Sequence, residues 1–334
     1  MLSRFLPGVL LCLAGGAGAV LAVKILPAWH PTFAAVSPLL LAILLGVLVG
    51  NTVKLPASAQ PGLQFSAKKV LRFGIVLLGL QISVAQILDL GWAPALLALL
   101  AVVSGFTCAL LLGAALGLSL PQRLLIGAGF GICGAAAVAA VDGVLDDDKE
   151  EHETATALGL VVLFGTLMIF LLPLAARLAG LSDWETGVWA GASVHEVAQV
   201  VAIGGSLSAA ALSAAVVVKL SRVLLLAPVM ATISVWRRHN NAKSGGKLPP
   251  IMPLFVFLFI VMVAVRSLAP LPAELLAAVN LVQTVLLAVA MFALGLGVRF
   301  SVFKRGSWRP FVVALVTTLV IAVVTYGGLV LLID

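Results

Sequence analysis

Residues 186–205 read TGVWAGASVHEVAQVVAIGG, and this stretch indicates the fold class. It has the roughly 20 residues that one α-helix needs to cross a bilayer, and His195 and Glu196 are its only ionisable residues. The whole chain has the same apolar character, because 62% of its 334 residues are hydrophobic and only 10% are charged. Too little polar surface is present to cover a soluble core, and the apolar runs do not alternate as barrel strands do. We therefore expect an all-α polytopic membrane protein.

The apolar segments give a count of the membrane helices. We predict 11 transmembrane helices, with boundaries near 5–26, 36–50, 70–90, 93–117, 124–141, 155–178, 186–205, 209–235, 251–268, 276–298 and 310–333. The first segment resembles a signal peptide in its basic start, but it is long enough to span. We expect it to be retained as an extra helix within residues 1–30.

Basic residues orient these predicted helices. Eleven crossings place most of the cations on the side of Met1 and three, Lys24, Lys149 and Arg266, on the other side. Cytoplasmic loops carry the excess of Lys and Arg, so we expect a cytoplasmic N-terminus and a C-terminus on the periplasmic or extracellular side. The acidic run at 146–153 then falls on the outer side, where we expect a solvated loop.

Eleven helices can be divided into one extra helix and two sets of five, at 36–178 and 185–334. Because five is odd, the second set would be inverted relative to the first, as in many secondary transporters. Residues 79–94 resemble residues 295–310 at an offset of 216. Residues 128–140 resemble residues 190–202 at a different offset, so the two similarities do not imply the same repeat unit.

The seventh segment carries four polar residues close to the middle of the bilayer. His195 and Gln199 are four positions apart and Ser193 and Glu196 three apart, so each pair shares a face of a continuous helix. Because position 199 is Gln, the zinc motif His-Glu-x-x-His is not formed. Ser193 beside His195 is the only nucleophile–base candidate, and we expect neither an enzyme nor a bound cofactor.

Lys219 and Arg222 lie three positions apart near the middle of the eighth segment. Charge inside a membrane is costly and usually faces a partner or a cavity. Glu196 can neutralise one of the two cations, and the surplus positive charge favours an anion site. A helix-locking ion pair, with the second cation reaching an interface, is the alternative. In the anion-site interpretation His195, Glu196 and Gln199 couple transport to an ion such as a proton or sodium.

The fifth segment contains a glycine-rich run, GAGFGICG, at residues 127–134. Such a run makes a poor continuous helix and favours an unwound segment that lines a cavity. Free N–H groups near 134–136 would then point at an anion, and close packing through small residues is the alternative. The substrate-binding candidates besides Lys219 and Arg222 are Gly131, Cys133, Gly134, Ala135 and Ser193.

A basic stretch, Phe65–Arg72, precedes the third predicted helix. It carries Lys68 and Lys69, and cations in this position usually anchor a helix at the lipid headgroups. An electrostatic vestibule that attracts an anion is the alternative. The net charge of +7 therefore indicates membrane orientation, and we expect no nucleic-acid partner.

Four blocks of the chain resemble the YeiH-type family of bacterial inner-membrane proteins, which is commonly associated with sulfate export. The similarity covers about residues 36–330, and GASVHEVAQVV is its specific block. Ala136 and Gln81 depart from the family's usual Ser and Arg. The blocks are FSAKKVLRFGIVLLGLQIS at 65–83, GFGICGAAAVAA at 129–140, GASVHEVAQVVAIG at 191–204 and KLSRVLLLAP at 219–228.

This family is similar to the group that contains cation:proton antiporters and bile-acid symporters. The resemblance implies two inverted five-helix repeats, a core and a panel domain, and crossed broken helices. It implies a secondary transporter that exports a small anion, with sulfate or a sulfonate-like compound as substrate. A cation:proton antiporter and an anion channel are the alternatives, and a homodimer is left open.

Overall fold

The computed structural model describes residues 4–26, 38–89, 91–145, 151–244, 254–297 and 308–333. Helices make up almost all of this part of the chain, which contains no strand. Short 3₁₀ or π segments lie at 57–59, 66–70, 79–81 and 129–133. The α-helices are α1 Leu6–Ile25, α2 Pro38–Thr52, α3 Gln60–Phe65, α4 Leu71–Leu78, α5 Val84–Asp89, α6 Trp92–Ala115, α7 Leu120–Ala128, α8 Ala135–Asp142, α9 Glu151–Leu178, α10 Asp183–Ser193, α11 Val197–Leu207, α12 Ala209–Leu224, α13 Leu226–Ser244, α14 Leu254–Leu268, α15 Ala273–Gly297 and α16 Arg309–Leu332.

Within the described residues, six helical stretches are long and apolar enough to cross a membrane. Two shorter apolar helices accompany them, at Leu41–Thr52 and Leu254–Leu268. The expectation of an all-α polytopic membrane protein is confirmed at this level. The six long stretches are Leu6–Ile25, Trp92–Ala115, His152–Leu178, Ala209–His239, Ala273–Gly297 and Arg309–Leu332.

The predicted fifth span is a helical hairpin, which we call hairpin 1 (Leu120–Asp142). The Ser119 hydroxyl, just before α7, donates a hydrogen bond to Glu153 at the start of α9. Asp142, at the end of α8, accepts one from Thr154, the next residue of α9. A straight helix would separate positions 119 and 142 by about 35 Å. Hairpin 1 therefore begins and ends at the same end of the molecule.

The predicted seventh span is a second hairpin, which we call hairpin 2 (Asp183–Leu207). A Cβ added at Gly187 in α10 would lie 2.4 Å from the carbonyl oxygen of Ala211, and one added at Gly204 in α11 would lie 3.2 Å from the same oxygen. A continuous helix would place Gly187 and Gly204 about 25 Å apart. Hairpin 2 therefore also returns to the end from which it starts, alongside the first turns of α12.

The prediction that both segments cross the membrane is therefore wrong. Glycines explain the hairpins, because they let two helical arms approach where a larger side chain would separate them. A Cβ at Gly129 would lie 2.7 Å from Val138 Cγ2 of the opposite arm. The glycine-rich run of hairpin 1 and its similarity to hairpin 2 can therefore be recognised from sequence. The reversal of direction cannot, because it depends on tertiary packing.

The two hairpins enter from opposite ends of the molecule. Gly117, just before hairpin 1, lies against Arg309 at the start of α16, and Arg72 lies against Gly143 at the end of hairpin 1. We call this end the basic end. Trp189 of hairpin 2 instead donates a hydrogen bond to the Ala322 carbonyl, farther along α16.

This arrangement moves two predicted loops. Glu153 lies at the basic end, beside Ser119, and not on the opposite side from Met1 as predicted. Arg177, at the far end of α9, lies at the opposite end. Residues 146–150 and 298–307, which carry most of the other acidic and several basic residues of the predicted loops, lie outside the described residues.

Candidate functional site

The tips of the two hairpins meet in the interior of the molecule. The tip of hairpin 1 is Gly129–Ala135, and the tip of hairpin 2 is Val194–Glu196. The ring of Phe130 from the first tip lies 4.5 Å, centroid to centroid, from the ring of His195 in the second. Both tips are buried, and α12 passes beside them with Lys219 and Arg222.

Local backbone geometry breaks each hairpin at its tip. Gly134 has φ +76° and ψ −137°, a conformation that side chains other than hydrogen rarely allow. A Cβ at this position would lie 2.2 Å from Glu196 Cγ, so the glycine also makes room for the second tip. In hairpin 2, Val194 and Glu196 have extended backbone angles that separate α10 from α11.

Arg222 binds the last carbonyl groups of both first arms. Its side chain is fully buried. Its Nη2 donates to the Phe130 and Gly131 carbonyls at 2.7 Å each, and its Nη1 donates to the Ala192 carbonyl at 2.7 Å and the Val194 carbonyl at 2.9 Å. Two further bonds, from Nε to Gly131 and from Nη1 to Gly191, complete the set. The guanidinium thus compensates the negative C-terminal ends of two helical arms.

Lys219 makes a second link between the same two arms. Its ammonium donates to the Ile132 carbonyl at 2.8 Å and to the Val194 carbonyl at 2.7 Å. Lys219 is also fully buried. Lys219 precedes Arg222 by three residues, or about one helical turn, so both side chains lie on the same face of α12. The two cations therefore bind backbone oxygens of both tips and form no hydrogen bond with Glu196.

Glu196 lies on the other side of the point where the two tips meet, next to the positively polarised N-termini of the second arms. One carboxylate oxygen accepts a hydrogen bond of 3.0 Å from the backbone N–H of Ala135, the first residue of α8. Glu196 itself precedes α11, so its charge lies at the N-termini of both second arms, where a negative charge is stabilised. Gln199 accepts a 3.0 Å hydrogen bond from the Glu196 backbone N–H. The carboxylate therefore takes the position that the sequence suggested for an anion near residues 134–136.

His195 is oriented by the last helix of the chain. Its Nε2 lies 3.1 Å from the Thr318 hydroxyl. That hydroxyl also lies within hydrogen-bond distance of the Ala314 carbonyl, at 2.9 Å. When it donates to this carbonyl it accepts from His195, and Nε2 then carries the proton. The other ring nitrogen, Nδ1, is buried without a hydrogen-bond partner, as is Nε2 of Gln199. Hairpin 2 thus contributes two buried polar atoms without a hydrogen-bond partner to the interior.

Ser193, Cys133 and Gly131, also predicted as site residues, make contacts within the protein. The Ser193 hydroxyl donates to the Trp189 carbonyl one turn earlier, which does not support a nucleophile. Cys133 is a free buried thiol in the first tip, and Gly131 contributes its carbonyl to Arg222. No cluster of three potential metal ligands occurs in the described part of the chain.

Sequence reasoning missed Thr318 and the carbonyl groups of the tips. Thr317 and Thr318 are adjacent hydroxyl residues in the middle of an apolar run, which is a signal the sequence contained. Backbone acceptors such as the Phe130 carbonyl give no sequence signal, because any residue can supply them.

The two hairpins enter from opposite ends, and their tips meet beside the buried residues Lys219, Arg222 and Glu196. This arrangement defines a polytopic membrane protein with a polar centre. The chain belongs to the family described as Conserved hypothetical protein 698, whose model matches residues 7–314. The expected membership of the YeiH-type family is confirmed.

Three relatives illustrate this membership. A UPF0324 membrane protein of Corynebacterium glutamicum is 45% identical over 329 residues, which cover 98% of this chain and 93% of that protein. A UPF0324 membrane protein of Pseudomonas aeruginosa is 39% identical over 337 residues, covering 97% and 93%. The UPF0324 inner membrane protein YeiH of Escherichia coli K12 is 40% identical over 288 residues, covering 84% and 81%. These similarities support a membrane location for this protein.

Proposed function

We propose that the protein is a secondary transporter that exports a small anion, sulfate or sulfonate-like, across the bacterial inner membrane, coupled to protons or to another ion. The observation that carries this proposal is the meeting of two hairpins from opposite ends at Lys219, Arg222 and Glu196. Each hairpin separates the polar centre from one end of the molecule. Movement of one hairpin at a time would give alternating access to a central site.

Charge at the centre favours an anion as the substrate. The two hairpins contribute two helix C-termini and two helix N-termini, whose partial charges cancel. Lys219 and Arg222 then outnumber Glu196 by one positive charge. In an apolar interior an uncompensated charge is costly, so a bound anion is the natural partner of this surplus.

The positions of the described cations support a cytoplasmic basic end. Lys219 and Arg222 lie at the centre. Of the other Lys and Arg residues whose side chains the structure describes, nine lie at the basic end and three, Lys24, Arg177 and Arg266, at the opposite end. By the positive-inside rule the N-terminus is then cytoplasmic and the C-terminus periplasmic. The basic-end cations are Arg4, Lys54, Lys68, Lys69, Arg72, Arg123, Arg237, Arg238 and Arg309.

Two nested inverted repeats would account for both sequence offsets. Helices α14 and α16 follow α2 and α6 at offsets close to 216, and hairpin 2 follows hairpin 1 at an offset close to 62. In α6 and α16, Gly105 lies against Ile321 and Leu97 against Gly328, so these two helices are antiparallel. A two-fold axis in the membrane plane requires this direction. The hairpin units would lie between two three-helix units, with α1 as the extra helix.

Flux measurements in proteoliposomes test the proposal. We expect saturable uptake of labelled sulfate or a sulfonate, driven by a pH gradient. Glu196→Gln should retain anion–anion exchange but lose its dependence on the pH gradient, because the amide can still accept from Ala135 but carries no charge. Lys219→Met should lose both activities. Ser221→Ala, on the same helix between the two cations, serves as the matched control.

A cation:proton antiporter is the second candidate. It is favoured by the observation that the hydrogen bonds of both cations go to backbone carbonyls and that Glu196 is the carboxylate of the centre. Sodium- or potassium-dependent proton flux without anion flux would support it and contradict the anion proposal. Currents that do not saturate with anion concentration would instead indicate a channel.

A further inference from the structure

We propose that an anionic phospholipid binds in a cleft at the basic end of the molecule. Its phosphate would lie at Lys69 and Arg72, and a hydrocarbon chain would extend over Phe73 and Leu258. This site is separate from the meeting point of the hairpins and does not depend on which substrate the protein transports.

The cleft has the size and lining of a ligand site. Its volume is about 370 Å³, which lies in the range of roughly 300–1,000 Å³ typical of ligand pockets. Two of its residues are cations and the other eight are apolar. The cleft is lined by Lys69, Arg72, Phe73, Val76, Ala140, Gly143, Val144, Leu254, Phe255 and Leu258.

Arg72 is held in place before any ligand binds. Its guanidinium carbon lies 5.4 Å from the centroid of the Phe255 ring, which is a cation–π arrangement. Its Nη2 lies against Gly143, where an added Cβ would be only 2.2 Å away. The guanidinium therefore already lines the cleft between α4, hairpin 1 and α14. Arginine in a fixed orientation suits a phosphate group well.

The charges around the cleft favour an anion. Lys69 is exposed, so its ammonium can reach a headgroup. None of the residues that line the cleft is acidic. Asp142, which is next to Gly143, is buried and accepts a hydrogen bond from Thr154. Its carboxylate is therefore engaged within the protein and does not line the cleft.

The apolar walls favour a lipid over a free anion. Phe73 is 56% exposed and Leu254 is 71% exposed, which places two large apolar side chains at the edge of the cleft. A small inorganic anion would leave these walls without a partner. A phospholipid matches both parts, since its phosphate meets the cations and its acyl chain covers the apolar side chains.

The position of the cleft links the lipid to hairpin 1. Ala140 belongs to the second arm of hairpin 1, and Gly143 and Val144 directly follow that arm. A ligand in the cleft would therefore contact that arm together with α4 and α14. Binding of a ligand to the folded state stabilises it, so the lipid should raise the melting temperature of the purified protein.

Binding of phosphatidylglycerol to the detergent-purified full chain tests the proposal. Native mass spectrometry and thermal melting would compare phosphatidylglycerol with phosphatidylcholine, glycerol phosphate and inorganic phosphate. We expect phosphatidylglycerol to bind and stabilise the wild type. The double variant Lys69→Gln/Arg72→Gln should bind it about 30-fold more weakly. The control Lys54→Gln removes an exposed cation of the same end and should bind it as the wild type does.

Each other outcome contradicts the proposal. Equal binding of phosphatidylcholine would exclude recognition of charge. Equal stabilisation by glycerol phosphate or inorganic phosphate would identify a free-anion site. Loss of binding in Lys54→Gln would indicate a general effect of surface charge. If the double variant does not fold, the exposed Lys69→Gln alone should weaken binding about fivefold, and unchanged binding would refute the lipid site.

Discussion

Arg222 is expected to be more important for the stability of the hairpin tips than any other single cation. Replacing it by Met would remove the guanidinium that binds five backbone carbonyls. One of these, the Val194 carbonyl, keeps its bond from Lys219, so four lose their side-chain donor. A buried acceptor left without a donor costs about 1–3 kcal/mol.

The expected loss of stability follows from this count. At the lower value per carbonyl, four unpaired acceptors cost about 4 kcal/mol, which agrees with about 3–5 kcal/mol for removing one partner of a buried charged interaction. At about 2 °C per kcal/mol, the melting temperature should fall by about 8 °C. Arg222→Lys keeps the charge but offers at most three donors without the planar fork. It should therefore lose about half as much.

Thermal unfolding in detergent, followed by tryptophan fluorescence and by circular dichroism, measures these differences. Arg177→Met is the control, because it removes an exposed arginine at the end of α9 and should leave the melting temperature unchanged. The reasoning would be refuted if Arg222→Met melted at the wild-type temperature, or if Arg222→Lys were as stable as the wild type. Either result would mean that the carbonyls find other donors.

Three further predictions concern the tips and the hairpins. Gly134→Ala should destabilise the protein by about 2–4 kcal/mol, because it adds backbone strain and a clash with Glu196. Adding Glu196→Ala should relieve only the clash, and a double-mutant cycle in chemical unfolding would measure that part. Thr318→Val should remove the hydrogen bond at His195 Nε2, so the imidazole NMR shifts should change, whereas Thr317→Val should leave them unaltered. In a cysteine-free background, single cysteines at positions 123 and 144 should react with a membrane-impermeant thiol reagent from the same side of the membrane; labelling from opposite sides would contradict hairpin 1.

Sequence alone predicted the membrane class, the family and the residues of the centre. His195, Glu196, Lys219 and Arg222 could be identified because ionisable groups are rare in apolar segments and therefore conspicuous. The partners of the cations could not be predicted, since they are backbone carbonyls. The ion pair between Glu196 and a cation was a reasonable alternative, but the folded chain provides helix ends for each charge.

The reversal of the two glycine-rich segments was also beyond sequence reasoning. A segment of about 20 apolar residues has the same length whether it crosses a membrane or bends back on itself. The distribution of positive charge did not reveal the difference. Replacing two crossing helices by two hairpins reverses the direction of α9 alone, because α9 is the helix between them. Arg177 moves to the opposite end, and Glu153 to the basic end, while the remaining described loops keep their sides.

The distribution of charge at the tips suggests how substrate and proton would be linked in the proposed transporter. The C-terminus of each first arm lies against a cation, and the N-termini of both second arms lie against Glu196. Every charge therefore has a helix end as its local partner. The formal sum is nevertheless one positive charge in an apolar interior. That surplus disappears if one negative charge binds or if one proton leaves the cluster. Anion binding and protonation of the cluster should therefore favour each other, so that export would carry the anion and a proton out together, driven by the outward gradient of the anion. The measured anion affinity should rise as the pH falls.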